Sequence, residues 1–404
     1  MTRIGSLFSG YGGLDMTAQA VFGGPDVARV VWHSDIKPAA VRLLEYRYAG
    51  IPNLGDITLI DPRDVAPVDV LTFGWPCQPH SAAGKRLGEA DPRALWPHVH
   101  RLVAGLRPRV LLGENVARVT SNGELRRVVR SLAEIGYVGA YRTLRASDVG
   151  APHRRDRLFL VAVRADAAAD ALGLVVWDEP GWSGRLGGAG AGVAGDDGAE
   201  RAARLTLLPT PRASDGPNGG PNQRGRRGDL AMPSAGVLMD GRQWGPYAAA
   251  VERWEQVLGR PAPDPTQISS RTGKPQLAPA FVEWMMGLPA GWVTDVPGLT
   301  RSQQLSMLGD GVVPQQAAAA YAELLGWLPP VCRGRAREGL PERGGDMSDT
   351  WTTVDDEPRD VHPLWCRIWT SSDPVEDCNC GADEFMAGVD EKVALFEKYA
   401  DGAA

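Results

Sequence analysis

The 404-residue sequence predicts an α/β fold in which a mostly parallel, doubly wound sheet is covered by helices on both faces. Two observations support this fold class. Short apolar runs alternate with helical patterns over residues 1–165, and four of the runs end in a polar or glycine-rich cluster. Such clusters are expected at the carboxyl edge of a parallel sheet, where ligands bind in open α/β folds.

Five strands and four intervening helices are predicted in this part of the chain. The predicted strands are Arg3–Phe8, Val30–Trp32, Asp69–Phe73, Arg109–Leu112 and Arg157–Val163. The predicted helices are Leu14–Phe22, Pro38–Tyr48, Leu95–Leu106 and Gly123–Ile135. Beyond residue 164 the alternation stops, and regular structure is predicted again at Ala278–Met286 and in a helix over Gln315–Trp327, which two prolines end.

The net charge of −6 is a composite of two unlike parts. Residues 347–404 hold 14 acidic and 4 basic residues, which leaves 35 acidic and 39 basic residues in 1–346. The first part is therefore mildly basic and the tail strongly acidic. This asymmetry admits nucleic acid as a partner without demonstrating it.

Other features of the sequence exclude several classes of protein. The longest apolar strand-like run, Leu158–Val163, is too short to span a bilayer, and the first five residues show no signal-peptide apolar region. Five cysteines, an odd number, do not suggest a disulfide framework. We therefore expect a cytoplasmic protein without membrane association, with two domains and an appendage at this length.

Cys77 lies in Gly74-Trp75-Pro76-Cys77-Gln78, directly after the third predicted strand. Prolines near it restrict the backbone, so the thiol would be held rigidly at the sheet edge, where it could act as a nucleophile. An isolated cysteine is more often a buried structural residue, so the neighbouring motifs decide between these interpretations.

Glu114 and Asn115 follow the next predicted strand, and His153–Arg157 enters the last one. A carboxylic acid near a thiol can protonate or hydrogen-bond a ring nitrogen of a substrate, whereas a lone Glu is more often a surface residue or helix cap. Alternate strand residues share a face, so His153, Arg155 and Arg157 are predicted to point one way and to hold a phosphate or a base carbonyl. An exposed, charged strand start is the alternative.

A glycine-rich turn, Phe8–Gly13, follows the first predicted strand and lets a ligand approach the backbone closely. It differs from the dinucleotide fingerprint G-x-G-x-x-G, so a pyrophosphate ligand is not favoured. Asp35, at the end of the second strand, could bind ribose hydroxyls, and Asp56 could bind an adenine amino group. A tight turn and solvent-exposed caps explain these residues equally well.

Together and in this order, the motifs resemble those of the C5-cytosine-specific DNA methyltransferase family, of bacterial or phage type, over residues 3–328. Phe8–Gly13 is similar to the family's first S-adenosylmethionine motif, and Pro76–Gln78 to its catalytic Pro-Cys-Gln loop. Glu114–Val116 is similar to the ENV motif, and His153–Arg157 to the Q-x-R-x-R motif. Leu277–Trp292 and Gly309–Pro314 are similar to the ninth and tenth motifs. The resemblance implies a Rossmann-like, S-adenosylmethionine-dependent methyltransferase domain as the core of the α/β fold.

The resemblance also implies the residues of a site. Cys77 would add to C6 of a flipped-out cytosine, Glu114 would hydrogen-bond N3, and C5 would take the methyl group of S-adenosylmethionine. Catalytic roles are implied for Cys77, Glu114, Asn115, Arg155 and Arg157. Cofactor contacts are implied for Phe8, Ser9, Gly10, Gly12, Gly13, Leu14, Asp35, Ile36, Asp56, Ile57, Pro76, Leu95, Asp310 and Val312. The segment Gln78–Arg93 is expected to close over the flipped base.

Three positions depart from the family's pattern. His153 stands where the family usually has Gln, Asp310 where Asn is usual, and Ile36 where an aromatic residue often stacks on the adenine. We therefore expect an apolar contact from Ile36 and a carboxylate near the cofactor at Asp310. The ninth motif matches loosely, and none of the departures touches Cys77 or Glu114.

The resemblance divides the chain into five parts. A catalytic S-adenosylmethionine-binding domain is expected over residues 1–180, and the chain returns to it over residues 276–330. Between these lie a Gly-rich linker over 181–204 and a small loop-rich target-recognition domain over 205–275. An acidic C-terminal appendage occupies residues 331–404. Residues 205–274 hold nine basic and six acidic residues, and their Arg and Asn side chains suit DNA contacts, although a basic insertion without that role is the alternative. Double-stranded DNA is the implied partner, with a cognate restriction endonuclease as a further one, and we expect a monomer.

Other classes share parts of this pattern. An RNA cytosine methyltransferase acting on tRNA would share Cys77 and Glu114 but have a smaller recognition region, and a non-catalytic DNA-binding relative would not need both motifs intact. A thiol-redox enzyme is disfavoured because Cys77 has no resolving cysteine nearby in the sequence. The tail residues His362, Cys366, Cys378 and Cys380 lack the usual paired zinc-ligand spacing, so we expect no metal.

Overall fold

The computed structural model describes residues 1–75, 95–121, 123–167, 205–216, 224, 230–239, 244–327 and 351–353. Within them, seven strands form one sheet: β1 Thr2–Leu7, β2 Ala28–Ser34, β3 Val70–Gly74, β4 Val110–Val116, β5 Tyr137–Arg145, β6 Asp156–Arg164 and β9 Trp351–Thr353. Their order in the sheet is β2-β1-β3-β4-β6-β5-β9. A separate two-stranded sheet pairs β7 Thr266–Ile268 with β8 Pro275–Leu277.

The strand directions confirm a mostly parallel sheet and add a strand that the sequence analysis missed. Neighbours among β2, β1, β3 and β4 are parallel, but β6 is antiparallel to both β4 and the missed strand β5. The ten-residue link over 146–155 favours an antiparallel pair, because a parallel crossover takes a dozen or more residues. The start of β6 therefore lies beside the carboxyl ends of β1–β4, and we call this side of the sheet the carboxyl edge.

Helices cover both faces of the sheet, as predicted. In the first half of the chain they are α1 Gly13–Val21, α2 Pro38–Arg47, α3 Trp96–Leu106 and α4 Glu124–Glu134. In the second half they are α5 Met232–Leu238, α6 Ala248–Leu258, α7 Pro279–Met285, α8 Arg301–Asp310 and α9 Pro314–Trp327. The bounds of the five predicted helices are confirmed to within one residue at either end.

Alternate residues of the central strands pack into two separate apolar layers. On one face, Val110 and Leu112 of β4 lie in a cluster with residues of α1 and α9. On the other face, Leu111 lies in a cluster with residues of α3 and α4. Because side chains alternate along a strand, burial of both sets requires helices on both faces, which is the doubly wound arrangement.

The second half of the chain builds a third apolar cluster that includes Trp254, Phe281 and Trp284. Residues 205–216 lie against the main sheet domain: the Leu208 N–H donates to Pro152 O at 2.7 Å. A Cβ on Gly309 would overlap the backbone at Arg212 and Ala213, so α8 touches this segment directly. The domain boundary predicted at residue 205 stays a prediction.

The acidic part of the chain contributes a strand to the main sheet. β9 pairs in parallel with Gly139, Ala140 and Tyr141 of β5. The rest of this tail, the predicted linker 181–204 and the predicted base-covering segment 78–93 lie outside the described residues. In the part of the chain that is described, no helix is long and apolar enough to cross a membrane.

Candidate active site

An ion pair joins β4 and β6 at the carboxyl edge. Arg157 faces Val116 in the β4–β6 register, so its side chain shares a face with Glu114, two residues away from Val116. Arg157 Nε lies 2.8 Å from Glu114 Oε1, and these side chains are only 15% and 14% exposed. The structure thus brings together two residues predicted from separate motifs, in a charge-assisted contact that water screens less than a surface pair.

The surroundings of Glu114 change its proton affinity. Burial raises the pKa of the Glu114 carboxyl, and the guanidiniums of Arg157 and Arg155 counteract part of this shift. The carboxyl therefore holds a proton at a higher pH than an exposed Glu does, while Arg157 fixes its orientation. A group in this state can donate a proton or a hydrogen bond to a ring nitrogen.

Asn115 connects this pair to the end of β3. Its Nδ2 donates to Trp75 O at 2.9 Å, and its Oδ1 accepts from the Val116 N–H at 2.8 Å. A Cβ on Gly74 would lie 3.3 Å from Glu114 Oε2, so the carboxylate lies close above the end of β3. Pro76 and Cys77 follow Trp75 in sequence but lie outside the described residues, and their roles stay predictions.

Arg155 departs from the predicted strand alternation. β6 begins at Asp156 and the φ of Arg155 is 35°, so the shared face predicted for residues 153, 155 and 157 does not form. The Arg155 guanidinium donates to the carbonyl oxygens of Pro211 at 3.2 Å, Gly309 at 3.0 Å and Gly311. Burial lowers the pKa of Arg155 to about 9, and the carbonyls replace the water it has lost. In these contacts Arg155 joins three segments of the chain, as a positioning residue.

His153 is likewise engaged inside the protein. Its ring is fully buried, and Nε2 lies 3.1 Å from Met285 O at the end of α7. Burial lowers the pKa of His153 to about 3, with a further lowering from Arg155. The ring is therefore neutral and supports α7, which corrects the prediction that it points with Arg157 toward a phosphate or base.

The glycine-rich turn bends sharply between β1 and α1. Phe8, Gly10 and Gly12 have φ values of 54°, 56° and 80°, a region that glycine adopts readily and Phe rarely. Asp35 closes the turn from the side, because its Oδ2 accepts from the Gly10 N–H at 2.9 Å and its Oδ1 from the Lys37 N–H at 2.8 Å. The turn and the end of β2 thus form one continuous surface.

Residues 311–312 lie against the same turn. Tyr11 Oη donates to Val312 O at 2.5 Å, and a Cβ on Gly311 would overlap the Tyr11 ring. Gly13 is packed as closely, since a Cβ there would lie 2.7 Å from the Tyr11 ring and 2.9 Å from a Val312 methyl carbon. Close contact, in addition to the turn itself, therefore requires glycine at these positions.

The other predicted cofactor residues differ in exposure. Ile36 is 66% exposed, whereas the Ile57 side chain is buried in the apolar core. Asp56 Oδ1 accepts from the Thr58 N–H at 2.9 Å, and hydrogen bonds from Thr58 lower the pKa of Asp56. Three more of the predicted residues are partly buried: Ser9, Leu14 and Leu95.

Sequence reasoning missed three residues that shape this edge. Tyr11 binds Val312, Trp292 Nε1 donates to Tyr11 O at 2.8 Å, and Lys37 Nζ lies 2.6 Å from Asp310 Oδ2. The position of Tyr11 between two motif glycines was a usable signal, but nothing in the sequence pairs Lys37 with Asp310. No group of three or more His, Cys, Asp or Glu able to hold a metal occurs among the described residues.

Comparison with known proteins matches the first half of the chain to one family. The family model described as C-5 cytosine-specific DNA methylase matches residues 2–179. The type II methyltransferase M.NlaX from Neisseria lactamica is 34% identical over 165 residues, which are 40% of this chain and 52% of that protein. The type II methyltransferase M.HaeII from Haemophilus aegyptius is 35% identical over 159 residues, 38% of this chain and 48% of that protein. The chain thus spans about half the length of these curated relatives.

A solved structure extends the likeness of the fold. The crystal structure of a DNMT2 mutant from Spodoptera frugiperda matches with a TM-score of 0.50, covering 80% of this chain and 99% of that one. The sequences are 17% identical, so the likeness concerns the fold alone. It agrees with the α/β architecture of a mostly parallel sheet covered by helices.

Proposed function

We propose that the chain is a DNA (cytosine-5-)-methyltransferase, because residues 2–179 match the family model described as C-5 cytosine-specific DNA methylase and resemble type II methyltransferases. It transfers a methyl group from S-adenosylmethionine to C5 of cytosine in a short, specific sequence of double-stranded DNA. The observation that carries the proposal is the Glu114–Arg157 pair beside Trp75, the residue that leads into Pro76 and Cys77.

The reaction needs a nucleophile because cytosine C5 attacks an alkylating carbon only weakly. The Cys77 thiolate forms a bond to C6, and the ring electrons displaced by this addition make C5 an enamine carbon. C5 then takes the methyl group. A base removes the C5 proton. The electron pair of the broken C5–H bond restores the double bond between C5 and C6, and Cys77 leaves C6 as the thiolate.

Glu114 supports the addition step at the opposite side of the ring. Negative charge develops toward N3 when sulfur adds to C6, and a protonated carboxyl hydrogen-bonded to N3 stabilises it. The raised pKa of Glu114 favours that protonated form, and Arg157 keeps the carboxyl directed along the edge. Asn115 fixes the distance between this carboxyl and the end of β3.

Within a duplex, C6 is stacked between neighbouring bases and no side chain can reach it. The target cytosine must therefore leave the helix, at a cost of a few kcal/mol of unstacking. We propose that Gln78–Arg93 closes over the flipped base and that residues 205–275 recognise the flanking sequence. The basic composition of residues 205–274 supports the second assignment.

The carboxyl edge fits S-adenosylmethionine. Its adenine needs an apolar surface, which the exposed Ile36 offers, and its ribose hydroxyls need acceptors, which the second lone pairs of the Asp35 oxygens offer. A Cβ on Gly10 would meet no atom closer than 4.0 Å, so the backbone there is open to a ligand. When bound, S-adenosylmethionine supplies an electrophilic methyl group on a positively charged sulfur.

The proposed substrate implies the setting of the reaction. The type II methyltransferases that the chain resembles come from bacteria, whose DNA lies in the cytoplasm, and one polypeptide is sufficient to enclose one flipped base. We therefore propose a cytoplasmic monomer. A cognate restriction endonuclease is a further proposed partner, supported by the type II methyltransferases that the chain resembles.

Expression of the full chain in a host without cytosine-5 methylation tests the function. Bisulfite sequencing of the host DNA should show 5-methylcytosine at one recurrent short motif. The Cys77→Ser variant should lower methylation by about 10³-fold or more, because a hydroxyl is a far weaker nucleophile at neutral pH. Equal methylation by Cys77→Ser would refute the covalent mechanism, and label from the methyl group in tRNA instead of DNA would identify an RNA methyltransferase.

A further inference from the structure

A closed ring of contacts passes through several of the residues that are proposed to bind the cofactor. The Gly10 N–H binds Asp35, Asp35 binds the Lys37 N–H, and Lys37 Nζ reaches Asp310 across the edge. Two residues beyond Asp310, Val312 O accepts from Tyr11, which is the neighbour of Gly10 in sequence. The contacts therefore lead from the glycine-rich turn across β2 and α8 and back to the same turn.

The links of this ring differ in how readily they open. The Tyr11–Val312 contact is buried, and the Asp35 contacts are made to backbone N–H groups. Arg155 holds the carbonyl groups of Gly309 and Gly311 on either side of Asp310, so the backbone there is anchored. The Lys37–Asp310 link joins two side chains that are 66% and 47% exposed. This link is therefore the one in the ring for which water competes most readily on both sides.

The charges of Lys37 and Asp310 are placed unfavourably for the dipoles of the two helices that carry them. Lys37 is the N-cap residue of α2, at the positive end of the helix dipole, and Asp310 is the last residue of α8, at the negative end. Helices are stabilised by the opposite arrangement, with anions at the N-terminus and cations at the C-terminus. What this arrangement does provide is attraction between the two side chains, across the proposed cofactor surface.

We infer that the Lys37–Asp310 ion pair is a clasp over the S-adenosylmethionine site, and that its opening limits how fast the cofactor and its product leave. The inference rests on the proposed function, which supplies the ligand. Lys37 and Asp310 are positioning residues here, because they act by closing the ring formed with Asp35 and the glycine-rich turn. An exposed ion pair of this kind should slow ligand release by about two- to fivefold at low salt.

The test measures release of S-adenosylhomocysteine, the cofactor without its transferred methyl group, from the full chain. Radiolabelled ligand is bound to the protein and chased with excess unlabelled ligand at about 0.05 M and 1 M salt, conditions in which charge screening differs strongly. The variants are Asp310→Asn, Lys37→Gln and the charge-reversed double variant Lys37→Asp with Asp310→Lys. The matched control is Asp61→Asn, which removes an exposed pair with Arg63 outside the site.

We expect both single variants to release the ligand about two to five times faster at low salt and at the same rate as the unaltered chain at high salt. The charge-reversed variant should restore slow release, which a purely structural effect of either residue would not do. Asp61→Asn should leave the rate unchanged. Unchanged release in the single variants, or fast release in the charge-reversed variant, would overturn the clasp. If the unaltered chain binds no S-adenosylhomocysteine, the proposed function fails and the clasp with it.

Discussion

Glu114 and Arg157 show how one contact sets both orientation and proton affinity. Burial alone favours the protonated form of Glu114, and the guanidinium of Arg157 favours the ionised form. Loss of the Arg157 charge would leave the effect of burial opposed only by the charge of Arg155, so the pKa of Glu114 would rise further and the carboxyl would lose its fixed direction. Because both side chains are largely shielded, breaking the pair also costs more than breaking a surface ion pair.

His153 makes the stability of the protein depend on pH. In the unfolded chain its pKa is near 6.5, whereas burial lowers it to about 3 in the folded protein. The unfolded state therefore binds a proton first as the pH falls, so the folded state loses stability from pH 6.5 down to about 3. At pH 5 this loss is about 2 kcal/mol relative to pH 7, and it depends little on the folded value as long as that value is well below 5.

The substitution His153→Gln isolates this effect. Gln keeps a donor for Met285 O but does not titrate, so the variant should lose about 2 kcal/mol less than the unaltered chain between pH 7 and pH 5. Urea unfolding at both pH values measures the difference, and carboxylates elsewhere contribute equally to both proteins. Parallel loss of stability in the two proteins would show that the ring is protonated in the fold.

At the scale of elements, the direction of β6 explains why separate motifs meet. If the strand after residue 156 ran parallel to β4, its start would lie at the amino edge, a strand length away from Glu114. The hairpin-like connection from β5 reverses it and places Arg157 opposite Val116. The missed strand is therefore a cause of the site, although it contributes none of the predicted residues.

Local patterns were sufficient to predict strands β1–β4 and helices α1–α4 and α9, because buried strands are continuous apolar runs and these helices show apolar periodicity. Helices α5, α6 and α8 were not predicted. β5 escaped prediction since four of its residues, Tyr141–Leu144, are only partly buried and carry mixed polarity. The positive φ of Arg155 and the engagement of its guanidinium by residues 211, 309 and 311 depend on contacts across the fold. Periodicity within one segment carries no information about such contacts.

The β7–β8 ribbon is the described element best suited to touch DNA in the proposed recognition region. Its base is fixed by strand pairing and by Arg301 Nε, which donates to Leu277 O at 3.0 Å. Arg271 and Lys274 are exposed at its tip, and residues 266–277 contain no acidic side chain. A two-stranded ribbon also has the width of the major groove.

Replacing both cations, Arg271→Ala with Lys274→Ala, should weaken binding of the cognate duplex by about tenfold and lower the salt slope by about two phosphate contacts. Fluorescence anisotropy over a range of salt concentrations measures both quantities. Affinity for S-adenosylhomocysteine should not change. The control is Arg29→Ala with Arg126→Ala, two exposed cations outside the carboxyl edge. If this control weakens DNA binding as much as the ribbon variant, the effect is one of total charge and the ribbon has no special role.

For the whole molecule, charge and architecture divide the chain at different places. The acidic excess begins near residue 347, yet Trp351–Thr353 pairs with the main sheet. The tail is therefore joined to the main sheet by its backbone although its composition differs. Its strand covers the edge of β5, which would otherwise expose unpaired N–H and C=O groups that invite association with another chain.

Two truncated chains separate the contribution of that strand from that of the rest of the tail. A chain of residues 1–353 keeps β9, whereas a chain of residues 1–346 removes it and leaves β5 as the edge of the sheet. The shorter chain should lose about 1–3 kcal/mol of unfolding free energy, the net value of a few backbone hydrogen bonds, and should self-associate through the uncovered edge. Chemical unfolding and light scattering after size-exclusion chromatography measure the two effects. Because both chains lack nearly all of the acidic excess, a difference between them reports on the strand and not on charge, and equal stability and mass would mean that β9 does not protect the sheet.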